Sequence, residues 1–177
     1  MLANFPAGTP FLILAPETAG FADIARERAD GVIDVRSLDA VAGAHDVLHA
    51  TMPHVLLEGI DDLEDPVSFL AGLRARTPQA RVFALISNAA HVASLGAFYA
   101  GRPLARAHPL VHEDIGPLFL AAGWQPLAIK SLIDESIPAA EALPFALKAG
   151  ELEFQLREPK VLERGRTAAF LVIADQT

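Results

Sequence analysis

Six histidines and no cysteine stand among 177 residues. Three of the histidines, His45, His49 and His54, lie close together. On a strand, His45 and His49 would project from the same face. Two imidazoles can begin a metal site, and Glu58 or Asp61 could complete it. The segment reads as a strand start and a loop, not as a helix presenting paired histidines, so no metal is expected. His108 and His112 flank Pro109, Leu110 and Val111. Either could act as a base if it lay over a pocket, but they read first as loop and helix-start residues. The acidic run 58–65 lacks the regular ligand spacing of an EF-hand and reads as a solvated turn. The chain has neither a G-x-S-x-G elbow nor a Walker A loop, so hydrolase and nucleotide chemistry of those types has no support.

The composition narrows the field further. Net charge is -8 and the isoelectric point about 5.1. Such a domain repels phosphate backbones, which argues against nucleic acid as a partner. The absence of cysteine removes disulfides and thiolate metal sites. Hydrophobic residues make up 52% and mean hydropathy is +0.33. Some of that apolar surface is available for a pocket or an oligomer interface. No apolar run reaches membrane-spanning length, and the first ten residues do not resemble a signal peptide. The expectation is one domain over residues 1–177, cytoplasmic, with no membrane partner.

These residues must be positioned by a series of short strands and helices. Phe11–Ala15 is an apolar run that reads as a buried strand, stopped by Pro16. Thr18 caps an expected helix over 18–28. A second strand is expected over 31–35, a brief helix capped by Ser37, and a third strand over 46–51. Pro53 and the acidic residues then form a loop. Pro66 suits the first turn of a helix ending at Arg76. Residues 80–86 are almost wholly apolar, as in a strand buried on both faces of a parallel sheet. Helices are expected over 91–99 and 113–122, the latter closed by Gly123, and a strand over 124–131. Residues 139–149 have a helical pattern that Pro144 interrupts. Residues 151–157 alternate, with Leu152, Phe154 and Leu156 on one side. Residues 168–174 are a continuous apolar strand. Alternating strands and helices imply a doubly wound α/β sheet that binds ligands at the strands' carboxyl ends.

Several short matches now align in order. Asp46-Val47-Leu48 is followed by Leu63-Glu64-Asp65-Pro66, by Thr77-Pro78-Gln79-Ala80, by Ile86-Ser87-Asn88, and by a helix ending Ala121-Ala122-Gly123-Trp124. In this order and spacing the stretch 46–134 resembles the class I S-adenosylmethionine (SAM) dependent methyltransferases, particularly those acting on small molecules and glycans. The resemblance implies a mostly parallel, Rossmann-like methyltransferase sheet whose last strand is antiparallel. It also implies SAM as cofactor, held by Pro16, Glu17, Thr18, Gly20 and Asp34, with Thr51 and Met52 lining the pocket. His54 and His108 are the candidate bases.

Three departures qualify what the resemblance implies. The family's glycine-rich turn after the first strand is here Pro16-Glu17-Thr18-Ala19-Gly20, with one glycine surviving. Pro16 fixes φ and lacks an N–H, and Thr18 adds a side chain where backbone should approach the ligand. SAM binding is therefore expected to be weak, and a non-catalytic binding or assembly module is the alternative function. Between Asp34 and Asp46 there is no room for one helix and one strand of the family. The strand over 31–35 should then become a sheet edge, with the last strand inside the sheet. Finally, only ten residues precede the first strand, where the family often has covering helices. The apolar surface left over, including the face of Leu152, Phe154 and Leu156, predicts a homodimer.

Overall fold

The computed structural model describes residues 9–16, 33–38, 53–102, 107–137, 143–149 and 151–176. Five consecutive apolar residues form β1 (Phe11–Ala15), which is buried throughout. It lies between β2 (Ile33–Ser37) and β3 (His54–Glu58), parallel to both. β3 pairs in parallel with β4 (Arg81–Ser87). The chain then crosses to β5 (Trp124–Ile133) and returns as β8 (Thr167–Gln176), which is antiparallel to both β4 and β5. The sheet order is β2-β1-β3-β4-β8-β5. Among the described residues β2 pairs only with β1, so it is an edge, and the apolar last strand is interior, as expected from the sequence.

Strand periodicity sorts the core into two faces. Leu12, Val55, Val82 and Ala174 are register partners across four strands and belong to the larger core. Over this face pack Leu70 and Leu73 of α1 (Pro66–Arg76), and Ile115 and Phe119 of α3 (His112–Ala121). Trp124 is fully buried among them and its indole N–H donates to the Leu70 carbonyl at 2.9 Å. The opposite face carries Ile13, Leu56 and Phe83, with Leu171 and Ile173 partly buried beside them. Each fully buried side chain of this size contributes roughly 1.5–3 kcal/mol.

Local signals set the helix ends. The Asp65 carboxylate accepts from the Ser68 amide at 2.9 Å, and Pro66 follows at the first helical position of α1. The Ser68 hydroxyl, and then that capping bond, hold the Asp65 carboxyl below its ordinary pKa. α3 closes at Gly123, whose φ of 80° is the left-handed conformation that glycine adopts freely. Between these helices lies α2 (Val92–Tyr99).

Four sequence expectations need correction. The third strand was expected over 46–51, which lies outside the described residues, with a loop beyond Pro53. Instead β3 begins directly after Pro53, and its centre, Val55 to Leu57, is fully apolar and buried. Pro53 precedes the strand, where its missing N–H costs nothing. The second strand is shifted to Ile33–Ser37, so Asp34 is its second residue and Ser37 ends it. Residues 139–149 were read as helical, but β6 (Phe145–Ala149) forms an antiparallel hairpin with β7 (Leu152–Leu156). The alternation of the partner strand selects period two over 3.6 for these residues. Finally, α4 (Pro159–Arg166) was not anticipated, although Pro159 at its start and Arg164 and Arg166 in its last turn are ordinary helix signals.

Candidate functional site

Parallel strands place their carboxyl ends along one edge of the sheet. Strand order reverses between β1 and β3, since the chain runs outward from β1 to β2 on one side and then returns to add β3 and β4 on the other, all four strands being parallel. That is the topological switch point, where open α/β sheets bind ligands. The residues at this edge are Ala15 and Pro16, Ser37 and Leu38, Glu58 and Gly59, and Ser87 and Asn88.

Gly59 caps a 3₁₀ turn (Ile60–Asp62) with φ 86°. A Cβ placed there would lie 2.8 Å from Pro16 Cγ and 3.5 Å from Leu38 Cδ2. The proline ring therefore rests directly on the Gly59 backbone and joins the end of β1 to the end of β3. Glycine is the residue that permits this contact.

Beside it, on the face of Ile13 and Leu56, is a cavity of about 230 Å³. Its described walls are Ile13, Ala15, Leu56, Phe83, Leu85, Leu132 and Leu171, together with Leu14 and Leu57. Glu58 is the single ionisable group among them. A second cleft, of about 450 Å³, opens on the other side of Asn88 between α3 and α4. It carries more polar groups than the first, with His112, Glu113, Ser131, Lys160 and Arg164 in its walls beside Val111 and Phe170, and Arg164 pairs with Glu113.

The expected site residues divide between these places. Pro16 is at the edge, as described. Glu17, Thr18, Gly20, Thr51 and Met52 lie outside the described residues, as do His45 and His49. In sequence Thr51 and Met52 precede β3, whereas they were expected to follow the third strand. Asp34 pairs with Leu12 near the amino end of β2, so the strand continues past it to Ser37.

His54 occupies the amino end of β3, opposite the edge that carries Glu58. Its ring lies between Phe11 and Phe83, at centroid distances of 5.5 and 5.8 Å. It is a packing residue there, which corrects its reading as a base for chemistry at the carboxyl ends. Burial, and then the charge of Arg81, hold its pKa below the ordinary 6.5. The unfolded chain thus binds more protons than the folded one near that pH, and stability falls as pH drops below the unfolded value. His54→Gln is expected to flatten the loss of stability between about pH 7 and pH 5. Urea denaturation at the two pH values checks this, and an unchanged slope would refute it.

His108 is near the carboxyl-end edge. Its amide donates to the Asp61 carbonyl at 2.8 Å, and its ring Nε2 bonds the Glu64 carbonyl at the same distance. A carbonyl can only accept, so Nε2 carries hydrogen and the ring ties residues 107–110 to the acidic turn. That turn has spent Asp65 on the helix cap and buries Asp61. Among the described residues no three His, Asp or Glu side chains are grouped as metal ligands would be.

Sequence reasoning did not single out Gly59, and considered Glu58 only as a metal ligand. Asn88 was noticed within the Ile86-Ser87-Asn88 match, but not its role. Its amide nitrogen donates to the carbonyls of Arg164 and Thr167 at 2.9 and 2.7 Å, and its oxygen accepts from Ala90 N–H at 3.0 Å. It binds the end of β4 to the junction of α4 and β8.

No protein-family model matches the chain, and no curated protein matches it. Solved structures do. A SAM dependent methyltransferase from Archaeoglobus fulgidus superposes with a TM-score of 0.64 at 12% identity, covering 99% of this chain and 89% of that one. An S-adenosylmethionine dependent methyltransferase from Mesorhizobium loti gives 0.59 at 12% identity, covering 99% and 95%. A chain of the Haloferax volcanii complex containing the Trm112 methyltransferase activator gives 0.58 at 16% identity, covering 99% and 86%. At these identities the likeness is one of fold. The chain has the class I methyltransferase-like fold, with its last strand antiparallel inside the sheet. No helix among the described residues is long and apolar enough to cross a membrane.

Proposed function

We propose that this chain is a SAM-dependent methyltransferase-like protein acting on a small molecule or glycan. The observation that carries the reading is the β2-β1-β3-β4-β8-β5 sheet, with antiparallel β8 and a cavity opening at the carboxyl ends of β1, β3 and β4. The fold's cofactor fits what is described there in chemical kind. Apolar walls suit a nucleobase, and a carboxylate such as Glu58 suits hydroxyl or cationic groups. Residues 16–20, which follow the carboxyl end of β1, would complete the cofactor's surroundings. When bound, SAM supplies an electrophilic methyl group.

The chain's own contribution is then mainly positioning, because displacement at a sulfonium needs alignment more than acid or base. The apolar walls exclude water from the reacting groups. Glu58 is placed to orient an acceptor hydroxyl or amine. His108 is anchored through Nε2, which leaves Nδ1 to take a proton if the acceptor must lose one.

A second reading is a methyltransferase-like binding or assembly module without catalysis. The packing of Pro16 on Gly59 favours it, since the ring lies where the family's glycines allow close approach. The presence of an activator protein in the Haloferax volcanii complex is compatible with it. We place either form in the cytoplasm. A two-fold homodimer accords with the exposed Leu127, Leu132 and Ile133 of the edge strand β5.

Calorimetric titration with SAM separates the two readings. Binding in the low-micromolar range would establish the first, and at about 100-fold excess over Kd it would stabilise the protein by roughly 2.7 kcal/mol. Absence of heat and of a thermal shift at millimolar SAM would leave the module. Light scattering on the same sample reads the assembly state.

A further inference from the structure

We infer that the cleft between α3 and α4 is a ligand site in its own right, and that it takes a free α-amino acid with an aromatic or branched apolar side chain. The site goes beyond the proposed methyltransferase reading, because binding there needs no methyl donor.

One face of a helix builds the first wall. Lys160, Glu163, Arg164 and Thr167 all line the cleft. Their spacing of three and four residues puts them on a single side of α4 and its C-terminal cap. Leu162 and Gly165, on the other side, are buried. The second wall is the start of α3, with Val111, His112 and Glu113. Thr167 and Phe170 are buried and close the bottom. The His112 ring meets the Phe170 ring edge-on, with centroids 5.5 Å apart. The volume of about 450 Å³ falls within the roughly 300–1,000 Å³ of small-molecule sites.

The charges on the rim select the ligand. Arg164 and Glu113 pair with each other and join α4 to α3. The side chains of Lys160 and Glu163 make no ion pair or hydrogen bond among the described residues. One cation and one anion therefore remain, three residues apart on the same helix face. A ligand that answers both carries an anion and a cation a few atoms apart. An α-amino acid does so, with its carboxylate toward Lys160 and its ammonium toward Glu163. The Ser131 hydroxyl, also in the wall, is a further donor for the carboxylate. The ligand's side chain then lies against Phe170 and His112, where an apolar group gains from burial and a ring from edge-to-face contact. A phosphate or dicarboxylate would face Glu113 and Glu163, and a diamine would face Lys160 and Arg164. Each of these is repelled by half of the rim.

The test uses the whole chain without SAM, followed by amide NMR and calorimetry. The probes are L-phenylalanine, phenethylamine, 3-phenylpropanoate and glycine. L-Phenylalanine is expected to bind with Kd of about 1 mM or tighter, shifting amides of α4 and of the first turn of α3. Phenethylamine lacks the carboxylate and 3-phenylpropanoate lacks the ammonium. Each should bind about threefold to fivefold more weakly, the scale of one partly exposed ion pair. Glycine, without an apolar side chain, should not bind at about 10 mM. Lys160→Gln should remove the preference over phenethylamine and keep that over 3-phenylpropanoate, and Glu163→Gln should do the reverse. Ser131→Phe, with Ala90→Phe as a second variant, fills the cleft and should abolish binding while thermal unfolding stays cooperative. Absence of shifts at about 10 mM L-phenylalanine would overturn the inference. So would glycine binding as tightly, preferences unchanged in Lys160→Gln and Glu163→Gln, or binding retained by folded Ser131→Phe and Ala90→Phe. The methyltransferase reading rests on the SAM titration alone, so either can fail without the other.

Discussion

Gly59→Val is expected to destabilise the fold by about 2–5 kcal/mol, through two separable causes. The backbone at Gly59 has φ 86°. A side chain in the left-handed region costs roughly 1–2 kcal/mol, more for a β-branched residue. The second cause is spatial, because the new Cβ would approach Pro16 Cγ to 2.8 Å. That neighbour is a ring fused to the backbone, so it cannot rotate away as the tip of a long side chain would. Relief requires the chain after β1 to move off β3. Overpacking of this kind costs roughly 1–3 kcal/mol.

A double-mutant cycle with Gly59→Ala and Pro16→Ala isolates the spatial part. Gly59→Ala should cost less in the Pro16→Ala background, with a coupling of about 1 kcal/mol or more, while the φ cost remains in both. Denaturant midpoints at constant m provide the measurement. Additive effects would mean that Pro16 does not rest on Gly59, and would remove the observation that favours the non-catalytic reading.

The same contact shows what the sequence could and could not reveal. β1, β4 and β8 are legible because unbroken apolar runs admit one arrangement, strands buried on both faces. The position of β8 inside the sheet follows from that burial, as does the edge status of β2 from the shortened connection after it. β3 was misplaced because His54-Val55-Leu56-Leu57-Glu58 sits between a proline and an acidic cluster, both ordinarily signs of loop. Its buried centre is evident only once β1 and β4 flank it. The hairpin of β6 and β7 was half legible, since one strand alternates openly and the other follows Pro144. The site was less legible than the fold. Pro16, Leu38 and Gly59 meet because three strand ends converge, and no local pattern encodes that meeting. His54 looked chemical from its side chain alone, but its neighbours Phe11 and Phe83 come from different strands.

Asn88→Leu should be among the most costly single changes in the chain, at about 3–5 kcal/mol, despite conserving volume. Asn88 is 2% exposed. Its side chain serves three main-chain groups, the carbonyls of Arg164 and Thr167 and the amide of Ala90. Leucine would leave all three without this partner, and each group orphaned while buried costs roughly 1–3 kcal/mol. Part of the loss can be recovered by local opening, because Arg164 lies on an exposed helix. Asn88→Asp tests the direction of the bonds. A carboxylate accepts where the amide nitrogen donated, so two carbonyls would face negative charge, and the loss should equal or exceed that of leucine. Both variants should loosen α4 first, since Asn88 holds its junction with β8. Amide hydrogen exchange in α4 (Pro159–Arg166) should therefore rise more than in α1 (Pro66–Arg76), which is capped by its own Asp65. Equal exchange in the two helices, or a loss below about 1 kcal/mol, would show that the junction is held by packing of Leu162 and Phe170 and not by the buried amide.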